Sequence, residues 1–368
     1  MPVKNWETFL VAATAYSKNL ATNKAFKAIK RSIDTGLRDR ELLESLPEFS
    51  ILKEDKRWPK VVNRIDSLKE VYIGNIENEQ VLRELQEMWR MDQLALSSYE
   101  ENISLLDSNA SHEDYAKLFK PVEERWEINK NKLDSIISIH GWPGNKLVGP
   151  DGAKLSWAIP QHSPDMLFKE KCLSLIKEAV TKGDVNPNHY AELHDRIKRD
   201  KWEKQTFGAS MGQYGPHPIE NASLVNQRRF EIGLPEPIEV YALYHGKDYQ
   251  VPSQHEAKLD SITSLNEAQN LYKKFETNVE KEEVDSATSY LQEAINHFGD
   301  ISNDQLYQAA IKLSQVDQGN SKQLSVKILK VLIWRNWEGQ YAILENDSLK
   351  TLQGSEDWKT VVELLDRD

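Results

Sequence analysis

A chain of 368 residues is long enough for two or three domains or a helical array, so size does not limit its core. Its formal net charge of −11 opposes binding to a nucleic-acid backbone or an anionic membrane surface, yet leaves room for a small anion held by local arginines. The single cysteine, Cys172, excludes an intramolecular disulfide, and its place beside Leu173, Leu175 and Ile176 marks a buried structural thiol.

At the N-terminus, Met1-Pro2-Val3-Lys4-Asn5-Trp6 lacks a secretory apolar core, and no apolar run approaches the ~20 residues of a membrane span. A cytoplasmic protein is expected, although a chain whose leader had been removed would read the same. Residues 1–72 read as a helical repeat unit, a hairpin followed by a shorter apolar helix. Ala13, Tyr16, Ala25 and Ile29 fall near the positions that a tetratricopeptide hairpin uses for its small and large contacts. A second copy lies at the other end of the chain. Aligning Trp58 with Trp358 without gaps brings Phe49, Leu52, Val61, Val62 and Ile65 onto Leu349, Leu352, Val361, Val362 and Leu365. One such unit cannot bury its own apolar face, so each must pack on the other copy or on the central region.

Tyr72-Ile73-Gly74-Asn75 marks a boundary, and residues 76–246 form the expected central domain. Long helices are predicted over about 78–106 and about 112–139, the second stopped by His140-Gly141-Trp142-Pro143. Ser163-Pro164 and Asn186-Pro187 each place a capping residue before a proline, which predicts helices over about 164–181 and about 187–200. Residues 203–221 are rich in Gly and Pro without periodicity, the mark of a functional loop or lid. Short helices are expected over about 223–232 and about 237–244. Residues 247–262 read as a linker, and helical pattern resumes near Leu265 within a C-terminal region, 263–368, that holds the second repeat copy. No alternating run of useful length occurs. The expected fold is all-α, a central helical pocket domain between two related terminal helical-hairpin units.

Several spaced motifs run through the central domain in order. They are Asp92-Gln93, Gly141-Trp142-Pro143 with Val148-Gly149, and Trp157 with Gln161-His162. Then come Tyr190-Ala191-Glu192-Leu193-His194-Asp195-Arg196, Gln205-Thr206-Phe207-Gly208 and Arg229-Phe230-Glu231-Ile232-Gly233-Leu234-Pro235. The set resembles an uncharacterised bacterial family, a domain of unknown function, over roughly half the chain. That resemblance implies no established reaction. One departure stands out: where the family has Tyr-Gly-Thr-Gln, this chain has Phe207-Gly208-Ala209-Ser210. A tyrosine hydroxyl and an amide are lost, with Gln213 and Tyr214 nearby as substitutes, so any chemistry resting on those groups is altered here.

His162 is the natural acid–base candidate because its ordinary pKa lies near physiological pH; the bland alternative is a histidine bonded to loop backbone. Asp165 reads as a first-turn carboxylate favoured by the helix dipole. Asp195 and Arg196 diverge by about 100° on a helix whose buried stripe is Tyr190, Leu193, His194 and Ile197. Arg196 suits bidentate binding of a carboxylate or phosphate, or a structural ion pair anchoring the loop that follows. Lys198, Arg199, Lys201 and Lys204 read as a solvated face. His162, Asp165 and Asp195 lack any metal-motif spacing, so no metal site is expected. Gly208, Gly212 and Gly215 lack the lysine of a phosphate loop, and Ser156, Ser163 and Ser210 carry no nucleophile elbow.

Two functions therefore stand open. In the first, His162 and Asp195 are catalytic and Trp142, Gln161, Arg196 and Gln205 bind a small molecule or peptide around one pocket, with no legible cofactor. In the second, the protein is a non-catalytic scaffold whose terminal units grip a protein partner, with ten tryptophans as anchors.

Overall fold

The computed structural model describes residues 6–106 and 110–366; the leader reading rests in part on residues 1–5, which lie outside them. The fold is all-α. Among the described residues no strand forms, and β-type pairing is limited to isolated bridges, Gln205 with Ile219 and Met211 with Pro216. The chain divides into two compact units, one of residues 1–162 and 178–185, the other of residues 163–177 and 186–368.

The first unit opens with α1 (Trp6–Lys18) and α2 (Thr22–Asp34), packed as a hairpin. Then come α3 (Arg40–Ser45), a 3-10 turn at Pro47–Phe49, α4 (Ser50–Lys53) and α5 (Trp58–Gly74). Ala13, Ile29, Ile33, Leu43, Phe49, Leu52, Trp58 and Ile65 form one buried cluster, because their helical spacing turns them all inward. Next, α6 (Glu79–Ile103), α7 (His112–His140) and α8 (Asn145–His162) pack against one another. The Asn78 side chain caps α6, and Ser111 with Asp114 closes a capping box on α7.

The turn from α7 to α8 is built by the Gly-Trp-Pro and Val-Gly motifs. Gly141 ends α7 at φ 76°, a backbone state that glycine reaches without steric cost. Asp184 then clamps the entry to α8, its carbonyl accepting from the Asn145 amide at 2.8 Å and its carboxylate from Lys146 at 2.7 Å. Inside α8, Gly149 breaks helical geometry at φ 72°, where a Cβ would collide with the Tyr72 ring. Tyr72 bridges this kink, donating to the Val148 carbonyl at 3.0 Å and accepting from the Asp151 amide at 3.3 Å.

The second unit takes α9 (Met166–Thr181) as far as Lys177, then α10 (Pro187–Asp200), α11 (Val225–Glu231) and α12 (Ile238–Tyr244). It continues through α13 (Gln254–Glu280), α14 (Val284–Ile295), α15 (Asn303–Ser314), α16 (Ser321–Trp334), α17 (Ala342–Glu345) and α18 (Glu356–Leu365). The expected ends of α10 hold, with Asn186 as its cap and Pro187 first in the helix. Helix α9 starts later than the Ser163-Pro164 signal suggests, because Asp165 takes the capping bond from the Phe168 amide at 3.1 Å. Helix α13 starts earlier than the linker reading allows. Ser253 and Glu256 form a capping box there, and its first buried residue is Ala268, so the opening turns carry no apolar stripe to read.

The end of this unit follows the element order of α1–α5, except that a single 3-10 segment stands where the first copy has a 3-10 turn and α4. An α15–α16 hairpin leads to α17, a 3-10 segment at Asp347–Leu352 and α18. Buried residues correspond position by position: Ile29 with Leu329, Ile33 with Ile333, Leu43 with Ile343, Phe49 with Leu349, Leu52 with Leu352, and Trp58 with Trp358. A serine in each first helix even reaches the same carbonyl, Ser17 to Glu48 and Ser314 to Ser348.

Candidate functional site

In the first unit, His162 is the last residue of α8. Its Nδ1 lies 3.2 Å from the Asp92 carboxylate, which is 3% exposed and comes from the middle of α6. Gln93 donates its amide to the same carboxylate at 3.0 Å. The imidazole stacks on Trp89, with ring centroids 5.9 Å apart and planes 25° apart, and meets Trp126 at 5.6 Å. Phe119 and Tyr99 extend this aromatic wall, edge to face. Asn129, one turn beyond Trp126, donates to the Met88 carbonyl at 3.3 Å, while its own oxygen and the Trp126 indole N–H lack hydrogen-bond partners.

Such a setting suits proton transfer. A buried carboxylate fixes the Nδ1–H tautomer and leaves Nε2 as the basic nitrogen. The His162 side chain keeps 28% of its surface, so the ring remains reachable. Gln161 precedes it in the last turn of α8 at intermediate exposure. Trp142 is 8% exposed with an unpartnered indole N–H, and the Gly-Trp-Pro turn that carries it sets the direction in which α8 leaves.

In the second unit, Asp195 is fully buried and collects backbone amides. It accepts from Thr206 at 2.9 Å, from Phe207 at 3.1 and 3.2 Å, and from Ala209 at 2.9 Å, with His194 Nδ1 at 3.2 Å. Gln205, 2% exposed, spends both ends of its amide inside the same loop: it donates to the Ser210 and His217 carbonyls and accepts from the Ser210 amide. Buried Arg229 donates to the Phe207 carbonyl at 2.9 Å and to Glu236 at 3.0 Å, and lies over the Tyr241 ring. Tyr241 bonds Glu192 at 3.0 Å, and burial with that carboxylate pushes its hydroxyl pKa up. Arg228 ties the Thr206 and Glu220 carbonyls.

Residues 203–221 are thus a loop stitched to α10 and α11 by buried polar groups. The substituted motif fits this role. Phe207 packs edge-on against His194 at 5.0 Å, and its backbone bonds do not need a tyrosine hydroxyl. Ser210 turns its hydroxyl to Arg199 at 3.1 Å.

Arg196 pairs with Asp200 at 3.4 Å without hydrogen-bond geometry and keeps 37% of its side-chain surface exposed. Arg199 and Lys201, expected on a solvated face, are partly buried, with Lys201 held by Glu170 at 2.6 Å. Sequence reasoning missed Lys169, 4% exposed and paired with Asp200, since one lysine in a helical pattern gives no sign of burial. It also left Trp89 and Trp126 unassigned, and read Asp92 only as a motif member. Of the expected site residues, Trp142, Gln161 and His162 belong to the first unit, and Asp195, Arg196 and Gln205 to the second. Among the described residues no cluster of three His, Cys, Asp or Glu is placed to hold a metal ion.

Residues 92–251 match the model of the family of unknown function DUF6624. No curated protein and no solved structure matches the chain. The matched segment starts at Asp92, the partner of His162, and covers every motif named from the sequence, although the two compact units divide the chain inside it, between residues 162 and 163.

Proposed function

We propose that the central domain binds a small molecule or peptide beside His162 and uses this histidine as its acid–base group, with Asp92 as the residue that orients it. The observation that carries this reading is the meeting of two separate motifs, Asp92-Gln93 and Gln161-His162, at 3.2 Å between two tryptophans. A packed helical core has no need of a buried carboxylate bonded to a half-exposed imidazole. Catalysis does, because the carboxylate fixes the tautomer and the orientation of the ring. The surrounding indoles supply flat apolar surface for the non-reacting part of a ligand. Asp195 and Gln205 act in this reading through the loop they hold.

The test needs no known substrate. Diethyl pyrocarbonate acylates neutral imidazole, and at an alkaline pH where all three rings are neutral the Nε2 of His162, made more nucleophilic by the Asp92 bond at Nδ1, should react faster than the exposed His140 and His255, followed by peptide mass spectrometry. Asp92→Asn should slow His162 alone, and a panel of chromogenic ester, amide and phosphoester substrates should show turnover lost in His162→Asn with folding intact. Equal reactivity of the three histidines, together with turnover indifferent to His162→Asn, would exclude the acid–base reading and favour the partner-binding scaffold.

A further inference from the structure

Around Asp200 the second unit gathers more positive charge than it neutralises locally. Lys169 on α9 and Arg196 on α10 share a single carboxylate, Asp200, and Arg199 stands one turn along the same face of α10 as Arg196. The other cations of this stretch are matched elsewhere: Lys198 pairs with Glu203 at 2.9 Å and Lys201 with Glu170 at 2.6 Å. Asp195 is saturated by loop amides. Three cations around one carboxylate leave an excess of two charges. On the loop, the Ser210 hydroxyl accepts from Arg199 at 3.1 Å, and the His217 ring lies close enough to feel its charge.

We propose that Lys169, Arg196 and Arg199 form a binding site for a phosphoryl group, with the Ser210 hydroxyl as a further donor. A doubly charged phosphate matches the excess, whereas a carboxylate would leave one cation uncompensated. Two guanidinium groups on successive turns offer forked donors to a tetrahedral oxyanion, and a buried ammonium adds a point charge behind them. The half-open Arg196 side chain provides the entrance. Like-charge crowding is already felt within the cluster: burial depresses the Lys169 pKa, Asp200 opposes the fall, and Arg196 and Arg199 add to it. An anion would relieve that repulsion. This site does not depend on the role assigned to His162.

Binding of inorganic phosphate and of phenyl phosphate to the full chain, by calorimetry with 31P line width as a second readout, tests the proposal. The phenyl ester distinguishes an organic monoester from the free ion. Saturable binding with Kd at or below about 1 mM is expected for at least one of them, in chloride of matched ionic strength. Arg199→Gln and Arg196→Gln should each weaken it by at least about tenfold, while Lys198→Gln leaves it unchanged. Circular dichroism and thermal melting establish that the variants fold, and if Arg199→Gln does not, Arg196→Gln, nearer the surface, decides the matter. Absence of saturable binding, equal affinity for acetate, or equal loss in Lys198→Gln would overturn it.

Discussion

Asp92 and Asp195 are both buried carboxylates, yet they spend their lone pairs differently. Asp92 faces two side chains, His162 and Gln93, and leaves a titratable ring at the end of its bond. Asp195 faces the amides of Thr206, Phe207 and Ala209, groups that cannot change charge. Asp195→Ala should therefore cost about 3 kcal/mol, since it strands several buried N–H donors at once. Hydrogen exchange should rise across residues 203–221 and not across α6, and undisturbed protection of the loop would contradict this role. The sequence made the polarity of this region legible but not its direction. That Asp195 and Arg196 diverge follows from helical geometry. Which of them meets the loop depends on how Gly208 and its neighbours fold back, and no periodicity encodes that. The Asp92–His162 pair was present as two motifs, but a separation of 70 positions along the chain hid their contact.

Helices were readable where a cap and an apolar stripe coincide. Both conditions hold for α10, and its ends agree with its Asn186-Pro187 start. The opening of α13 has the cap without the stripe, so Ser253 and Glu256 begin a helix that composition alone presents as linker. The likeness of the two chain ends rests on the same kind of signal. Its alignment rests on large buried residues, and Trp58 and Trp358 are each 6% exposed at the start of equivalent helices. The valine pair after each tryptophan is not equivalent in detail: Val62 is buried in the first copy and Val361 in the second, which implies a small rotation of the helix about its axis. Replacing either tryptophan by alanine should cost about 3–5 kcal/mol through the cavity it leaves. Chemical denaturation of the two single variants checks this. A loss below about 1 kcal/mol for either would mean that its copy repacks without the ring, against a shared architecture.

For the whole molecule, the dependence of stability on pH follows from which groups folding displaces. Burial holds His217 and His245 below their ordinary value of 6.5, with Arg199 adding to the effect at His217. Their unfolded forms bind protons more readily, so their contribution is complete above pH 6.5 and lost as pH falls through the lowered values. Hydrogen bonds from Arg57 pull Asp55 to about 2, and its contribution, of the same sign, disappears further into acid. On the alkaline side, burial and the nearby Asp151 charge push Tyr72 up to about 12. That group's contribution is complete below pH 10.0 and lost as pH rises through about 12, and Tyr241 and Tyr272 shift in the same direction. Lys169, depressed by burial, works the other way near its ordinary 10.5, but it is one group against five, since burial raises Tyr190 and Tyr249 as well. Thermal melts should therefore show a plateau from about pH 6.5 to about pH 10, with an acid edge that begins at the histidines rather than at the carboxylates. Acidification also relieves the self-repulsion of a chain with net charge −11, which would move the edge to lower pH. High salt screens that long-range effect while leaving partly buried groups largely untouched, so the two separate by ionic strength. In high salt, a double His217→Gln, His245→Gln variant should shift the edge toward the carboxylate range, and an edge unmoved by this change would assign it to other groups.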